Sequence, residues 1–88
     1  MEGLTEGRIV HFVLDVGRWQ GEHRPAIVVK AFRTAGEENI QSTFEDGRCQ
    51  LQVFTDGIND DLPSVMWRTS VLYDENAAEG TWHWIEKA

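Results

Sequence analysis

The sequence predicts an all-β protein: a small five-stranded antiparallel SH3-like barrel, with an oligonucleotide-binding-type barrel as the alternative. Five short runs are rich in β-branched and aromatic residues, and turn-forming residues separate all of them. No stretch keeps a helical period for more than about one turn. With 88 residues, the chain has the length of one domain, and residues 1–88 are expected to form it.

The first two predicted strands have the strongest sequence signals. Arg8–Leu14 carries apolar residues on both faces, which is typical of a well-buried strand. Pro25–Phe32 follows a glycine-containing loop and begins with a proline, where a missing N–H costs least. Its β-branched run Ile27–Val29 strongly favours an extended backbone.

The remaining strands follow a long acidic loop over Arg33–Gly47, in which Ile40 and Phe44 are expected to tuck under as a partly formed strand. Between the fourth and fifth strands, the polar connection Tyr73–Gly80 has room for one helical turn at most. The three predicted strands are Arg48–Thr55, Met66–Leu72 and Thr81–Glu86, and the last places Trp82 and Trp84 on one face and His83 on the other.

Composition narrows the classes of function. Fifteen acidic residues against eight basic ones give a net charge of −7, the wrong sign for a general nucleic-acid binder. The start of the chain lacks the basic and apolar segments of a signal peptide, and no apolar run reaches the roughly 20 residues of a membrane helix. A cytoplasmic protein without membrane contact is therefore expected.

Core size and cysteine content favour self-association. A domain of this length buries only about 60–65% of its unfolded surface, so its core is thin. The one cysteine, Cys49, forms no internal disulfide and is expected to be a buried, inert thiol. Homo-oligomerisation is the remaining route to added stability, and Phe54 and Trp84 are the candidates for an apolar seam between subunits.

Aromatic and basic residues form the candidate ligand site. Trp67 and Trp82 are expected to stack a base-like ring, although indoles also serve as core or interface filler. Arg24 and Arg68 would grip phosphate with their forked guanidinium groups. Alternatively, Arg24 forms a surface ion pair with Glu22 or an acid of the loop that follows the third strand. Four further candidates would supply hydroxyl, carboxylate, amide and imidazole groups: Thr69, Asp56, Asn59 and His23.

Neither a metal site, a cofactor nor a catalytic residue is predicted. The three histidines, His11, His23 and His83, do not fall at the spacing of metal ligands, and one cysteine adds no pair. The loop Asp56–Asp61 is rich in carboxylates, but its glycine stands in the wrong place for a calcium-binding EF-hand. A solvated, self-capping turn is expected there instead. No serine lies in a glycine-flanked nucleophile elbow.

Part of the chain resembles the PemK-like toxin ribonucleases. The similarity lies in Gly7–Val10, a loop, and then Arg24–Val29, and it implies an SH3-like barrel. In that family the arginine before the proline belongs to the RNA-cleaving site, which implies such a role for Arg24, with Thr55 as a loose match to a second active residue. The chain is acidic where an RNA-cutting surface is basic, and the closing helix of the family is missing. The resemblance therefore supports the barrel more than the activity.

A broader resemblance is to short phage and prophage proteins of unassigned function. The segments HFVL, GEHRPAIVV, LQVFTDGIND, WRTSV and GTWHW carry it. It implies a small protein made inside an infected bacterium. Several proteins of that kind bind nucleotide-like signals of bacterial defence systems.

These observations together favour a binding protein over an enzyme. The most specific hypothesis is an oligomeric anti-defence sponge that sequesters a nucleotide-derived immune signal. Trp67 and Trp82 would stack the base, Arg24 and Arg68 would hold phosphate, and Asp56 or Asn59 would contact the sugar. The alternatives are an inhibitor of a host protein that uses its acidic surface, or an RNase or nucleotide-cleaving enzyme with Arg24 as the key group.

Overall fold

The computed structural model describes residues 3–32 and 47–86, and every regular element in these two ranges is a β-strand. The predicted all-β class is confirmed. The prediction for Ile40 and Phe44 in the acidic loop concerns residues outside these two ranges. The strands are β1 (Ile9–Val13), β2 (His23–Ala31), β3 (Cys49–Phe54), β4 (Val65–Val71) and β5 (Trp82–His83).

The five strands form one antiparallel sheet in the order β4-β3-β2-β1-β5. The sheet is barrel-like but not closed, because β4 and β5 are its two edges. The chain that follows β4 nevertheless returns to β5 through an isolated parallel bridge between Tyr73 and Trp82. The Trp82 amide donates to the Leu72 carbonyl at 3.0 Å, which holds these two edges close.

One face of the sheet, the inner face, carries the core. Trp82 is its largest fully buried side chain, and its indole Nε1 donates to the Gly47 carbonyl at 2.8 Å. Tyr73 and Trp84 pack edge-on against that indole, with ring centroids 5.0 and 4.9 Å away. Alternate strand positions supply the rest, including Val10, Phe12, Ala26, Val28, Cys49, Leu51, Val53, Met66 and Val71.

Two strand boundaries differ from the sequence prediction. β2 begins at His23 rather than at Pro25. Because β3 pairs with β2 only from Ala26 onward, the missing N–H of Pro25 interrupts no bond between those strands. β5 contains only Trp82 and His83, since the chain leaves the sheet after His83 and Glu86 turns back over its outer face.

Two smaller predictions concern Cys49 and membrane contact. The Cys49 thiol is fully buried, and burial raises its pKa to about 12, as expected for an inert cysteine. The described residues, 3–32 and 47–86, contain no helix that could span a bilayer.

Candidate metal centre

Strand register brings together three histidines that are far apart in sequence. His11 of β1 lies directly opposite His83 of β5, and His23 of β2 lies opposite Val13. Because side chains alternate between faces, all three imidazoles project from the outer face, opposite the core. Their ring centroids are 4.5 Å apart for His23 and His83, 5.7 Å for His11 and His83, and 6.1 Å for His11 and His23.

The carboxylate of Glu86 lies at the point where the three imidazoles converge. Its Oε1 is 2.7 Å from His11 Nδ1, and its Oε2 is 2.8 Å from His23 Nδ1 and 2.7 Å from His83 Nε2. We call these four residues, His11, His23, His83 and Glu86, the His–Glu cluster. The cluster connects β1, β2 and β5 with the chain that follows β5.

The His–Glu cluster offers one ligand atom from each member, and these four atoms all lie within 4.8 Å of one another. A tetrahedral zinc site with bonds of about 2.0–2.1 Å needs ligand atoms about 3.3 Å apart. The Glu86 oxygens lie only 2.7–2.8 Å from the imidazole nitrogens, so the carboxylate would move outward to admit an ion. The His83 side chain is buried, whereas those of His11 and His23 are 26% and 32% exposed and that of Glu86 is 48% exposed. The cluster can therefore be reached from solvent on the Glu86 side.

Hydrogen bonding to Glu86 determines which nitrogen of each ring carries a hydrogen when no metal is bound. Each imidazole nitrogen that faces Glu86 must carry a hydrogen, because an ionised carboxylate only accepts. The pKa of Glu86 is lowered to about 2 by a hydrogen bond from its own backbone and by those from His11 and His83, which outweigh desolvation. His83 Nδ1 is buried and has no hydrogen-bond partner among the described residues. A metal ion at the centre would displace the hydrogens that now point to Glu86.

Comparisons with protein-family models, with characterised proteins and with solved structures found no match. The chemistry of the His–Glu cluster is therefore inferred from its own residues. Three neutral imidazoles and one carboxylate on one sheet face form a donor set that suits borderline transition metals.

Arg24, a predicted phosphate ligand, lies on the inner face in a closed ion pair. Its Nε and Nη2 donate to the two carboxylate oxygens of Asp60 at 2.8 and 2.6 Å, and its Nη1 donates to Glu22 at 3.2 Å. These contacts agree with the alternative prediction, in which Arg24 pairs with Glu22 or an acid of the loop after the third strand. The prediction of a surface pair is wrong in one respect, because Asp60 is fully buried. The Arg24 hydrogen bond lowers the pKa of Asp60 to about 2 and raises that of Arg24.

The loop before β4 is self-capping, as predicted. Asp56 Oδ1 accepts the backbone N–H groups of Ile58 and Asn59, and its Oδ2 accepts the Asn59 side chain at 2.8 Å. These Asn59 and Ile58 hydrogen bonds lower the pKa of Asp56. The loop is not solvated throughout, however, because Asp60 turns inward and accepts the Asp56 N–H at 2.9 Å. Gly17 packs so closely that an added Cβ would lie 3.0 Å from the Asp60 carbonyl oxygen.

The predicted aromatic and phosphate-binding residues of β4 and β5 are divided between the two faces. Trp67 is half-exposed on the outer face, and Thr69 is exposed. Arg68 turns to the inner face, where it donates to Asp15 at 3.1 Å and its guanidinium lies 6.0 Å from the Phe12 ring. Trp82 is fully buried in the core, so its position agrees with the alternative prediction of a core residue rather than with stacking on a ligand. Of the eight predicted ligand residues, only His23 belongs to the His–Glu cluster.

Sequence reasoning missed His11, His83 and Glu86 because it judged metal ligands by their spacing along the chain. The usable signal was the alternation of side chains within two strands. It places His11 on the face that does not carry Val10 and Phe12, and His83 on the face that does not carry Trp82. These two patterns indicate a shared site only once it is known that the first strand pairs with the last, which is a contact between segments distant in sequence. Glu86 gave no such signal, since it lies outside the strand ladder.

Proposed function

We propose that this protein binds one divalent transition metal ion of the zinc class through His11, His23, His83 and Glu86. The observation that carries the proposal is the convergence of four ligand atoms within 4.8 Å of one another on one sheet face. Three imidazole nitrogens and one carboxylate oxygen are a suitable donor set for tetrahedral Zn²⁺. Calcium and magnesium are disfavoured, because they prefer oxygen ligands.

The sheet supports the proposal by fixing the histidines before any metal arrives. His11 and His83 are paired across β1 and β5, and His23 is held in β2 by its pairing with Val13. A preorganised site loses little conformational entropy on binding. The competing interpretation is a purely structural hydrogen-bond cluster that fastens the chain after β5 to the sheet. Metal titration separates the two interpretations, because only the first predicts stoichiometric binding.

The test is calorimetric titration of Zn²⁺ into full-length protein that has been stripped of metal with a chelator. One ion should bind per chain, and the double variant His11→Ala/His23→Ala should lose binding by a factor of about 100 or more. Glu75→Gln is the matched control, because Glu75 is an exposed carboxylate in the connection before β5. Stoichiometric binding that survives in the double variant, or no binding of Zn²⁺, Co²⁺ or Ni²⁺ to the wild type, would contradict the proposal.

A second candidate is the anti-defence sponge, in which the chain binds a nucleotide-derived immune signal. An exposed apolar patch on the outer face favours it: Phe54 and Val65 are paired across β3 and β4, and Trp67 lies two residues further along β4. An exposed indole can stack a base for about 1–3 kcal/mol. Arg24 and Arg68 are engaged with carboxylates, so this version draws on the aromatic patch rather than on those arginines.

Native mass spectrometry of protein purified from a bacterium with active defence systems tests the sponge. It predicts a homo-oligomer that carries an added mass absorbing at 260 nm, and Trp67→Ala should release that mass. Flat calorimetric titrations with cyclic dinucleotides and ADP-ribose derivatives, together with an adduct-free spectrum, would remove this candidate. The ribonuclease and host-inhibitor alternatives stay predictions from the sequence.

A further inference from the structure

We infer that the metal centre has an exchangeable coordination position: the three histidines hold the ion, and Glu86 yields its place to an external oxyanion. The ligand class is a small molecule that presents a carboxylate or a phosphate group. This inference rests on the proposed metal site, and it adds what that site would bind.

The four members of the His–Glu cluster are held to different degrees. His11, His23 and His83 are members of paired strands, so the backbone position of each is set by the sheet. Glu86 follows the last strand, outside the ladder, and its side chain is 48% exposed. A ligand outside the sheet can move away from the ion without disturbing any strand pairing.

The position of the Glu86 carboxylate also favours exchange. Both of its oxygens lie in the space that the three imidazole nitrogens face, at 2.7–2.8 Å. An ion that bonds these nitrogens at about 2.0–2.1 Å would take that space, and the carboxylate would have to retreat. Sites with three protein ligands commonly leave their fourth position to water or to a substrate.

Charge determines which external ligand fits. Three neutral imidazoles leave the full double positive charge of the ion uncompensated, so the fourth position favours an anion. Glu86 is the competitor that the chain itself supplies, and tethering gives it an effective concentration on the order of millimolar or more. Removing its charge should therefore raise the affinity for an external oxyanion. If Glu86 instead helped to hold the incoming ligand, removing its charge would lower that affinity.

The experiment uses visible absorption of full-length protein loaded with Co²⁺, whose spectrum changes with its ligands. Acetate and inorganic phosphate are titrated separately into wild type, Glu86→Gln and the control Glu75→Gln. We expect the spectrum of Glu86→Gln to respond to at least one anion at roughly one-tenth of the concentration that the wild type needs. A response to acetate alone identifies carboxylates as the ligand class, and a response to phosphate alone identifies phosphates.

Two results overturn the inference in different ways. Failure of the wild type to bind Co²⁺ would remove the metal site and this inference with it. Binding of Co²⁺ with a spectrum that neither anion changes in any variant, or weaker anion binding in Glu86→Gln, would remove the exchangeable position alone. Glu86→Ala provides a second variant with the same expectation should Glu86→Gln fold poorly.

Discussion

Two neighbouring residues of β2 lead to two clusters of opposite design. His23 projects to the outer face and joins the His–Glu cluster, whereas Arg24 projects to the inner face and pairs with Asp60. In the Arg24–Asp60 pair, two parallel hydrogen bonds join a planar guanidinium to a carboxylate that is fully buried. In the His–Glu cluster, three imidazoles share one carboxylate that is half-exposed.

The two clusters differ in what they can still offer to a ligand. Asp60 satisfies its oxygens with Arg24 and with the Asp56 N–H, so the pair has little left to offer a ligand. The His–Glu cluster directs three imidazole nitrogens to the two oxygens of one carboxylate, and His83 Nδ1 is buried without a partner in the described part of the chain. The three imidazole nitrogens face a carboxylate that is half-exposed, so an ion from solvent can reach this cluster, whereas the Asp60 carboxylate is buried. The four predictions that follow test this contrast, from the largest expected effect to the smallest.

Breaking the Arg24–Asp60 pair should produce the largest loss of stability. Asp60→Ala leaves the guanidinium without its bidentate partner and frees the loop before β4, so we expect the melting temperature to fall by roughly 10–20 °C. Thermal unfolding followed by circular dichroism provides the measurement. Asp61→Asn is the matched control, because Asp61 is exposed and asparagine tolerates its positive φ of 59°. Equal melting temperatures for the two variants would show that the pair is not structural.

Metal should stabilise the fold through the other cluster. An ion that binds only the folded state adds about 2.7 kcal/mol at a free concentration of 100 times its Kd. For a domain of this size, that increment raises the melting temperature by roughly 10 °C or more. The same Zn²⁺ concentration should leave the melting temperature of the double variant His11→Ala/His23→Ala unchanged. A similar shift in both proteins would place the ion elsewhere on the acidic surface.

The fold was more predictable than the site because it depends on local patterns. β-Branched runs and turn residues mark β1 to β4 within short segments, so local patterns predict the all-β class. Pairing of His11 with His83 depends on contacts between opposite ends of the chain, which no short segment encodes. Burial of Asp60 has the same origin, because an aspartate in a polar loop gives no sign that an arginine distant in sequence will cover it.

Acid should affect the buried pair in a defined direction. The pKa of Asp60 is about 2 in the folded protein, against an ordinary value of 3.8. A carboxyl group with a lowered pKa contributes stability above its unfolded pKa, and this contribution is lost as the pH falls from about 5 towards 2. Urea unfolding across that range should therefore show that the free energy of unfolding falls more steeply with decreasing pH for the wild type than for Asp60→Asn. The part of the loss that comes from Glu86 should remain in both proteins, and parallel curves would contradict the assignment to Asp60.

The smallest effect is expected where the two clusters meet. Arg24 Nη1 also donates to the His23 carbonyl at 2.9 Å, so a single backbone group links the buried pair to the proposed metal ligand. Arg24→Lys keeps the charge but loses the bidentate geometry, and we expect a clear drop in melting temperature. The Zn²⁺ affinity should change by less than about threefold, because pairing with β1, rather than the carbonyl contact, sets the direction of the His23 side chain. Calorimetric titration at a temperature where the variant is folded measures this affinity. A loss of tenfold or more would mean that the Arg24–Asp60 pair positions the ligand as well as the loop, and that the contrast between the two clusters is one of degree.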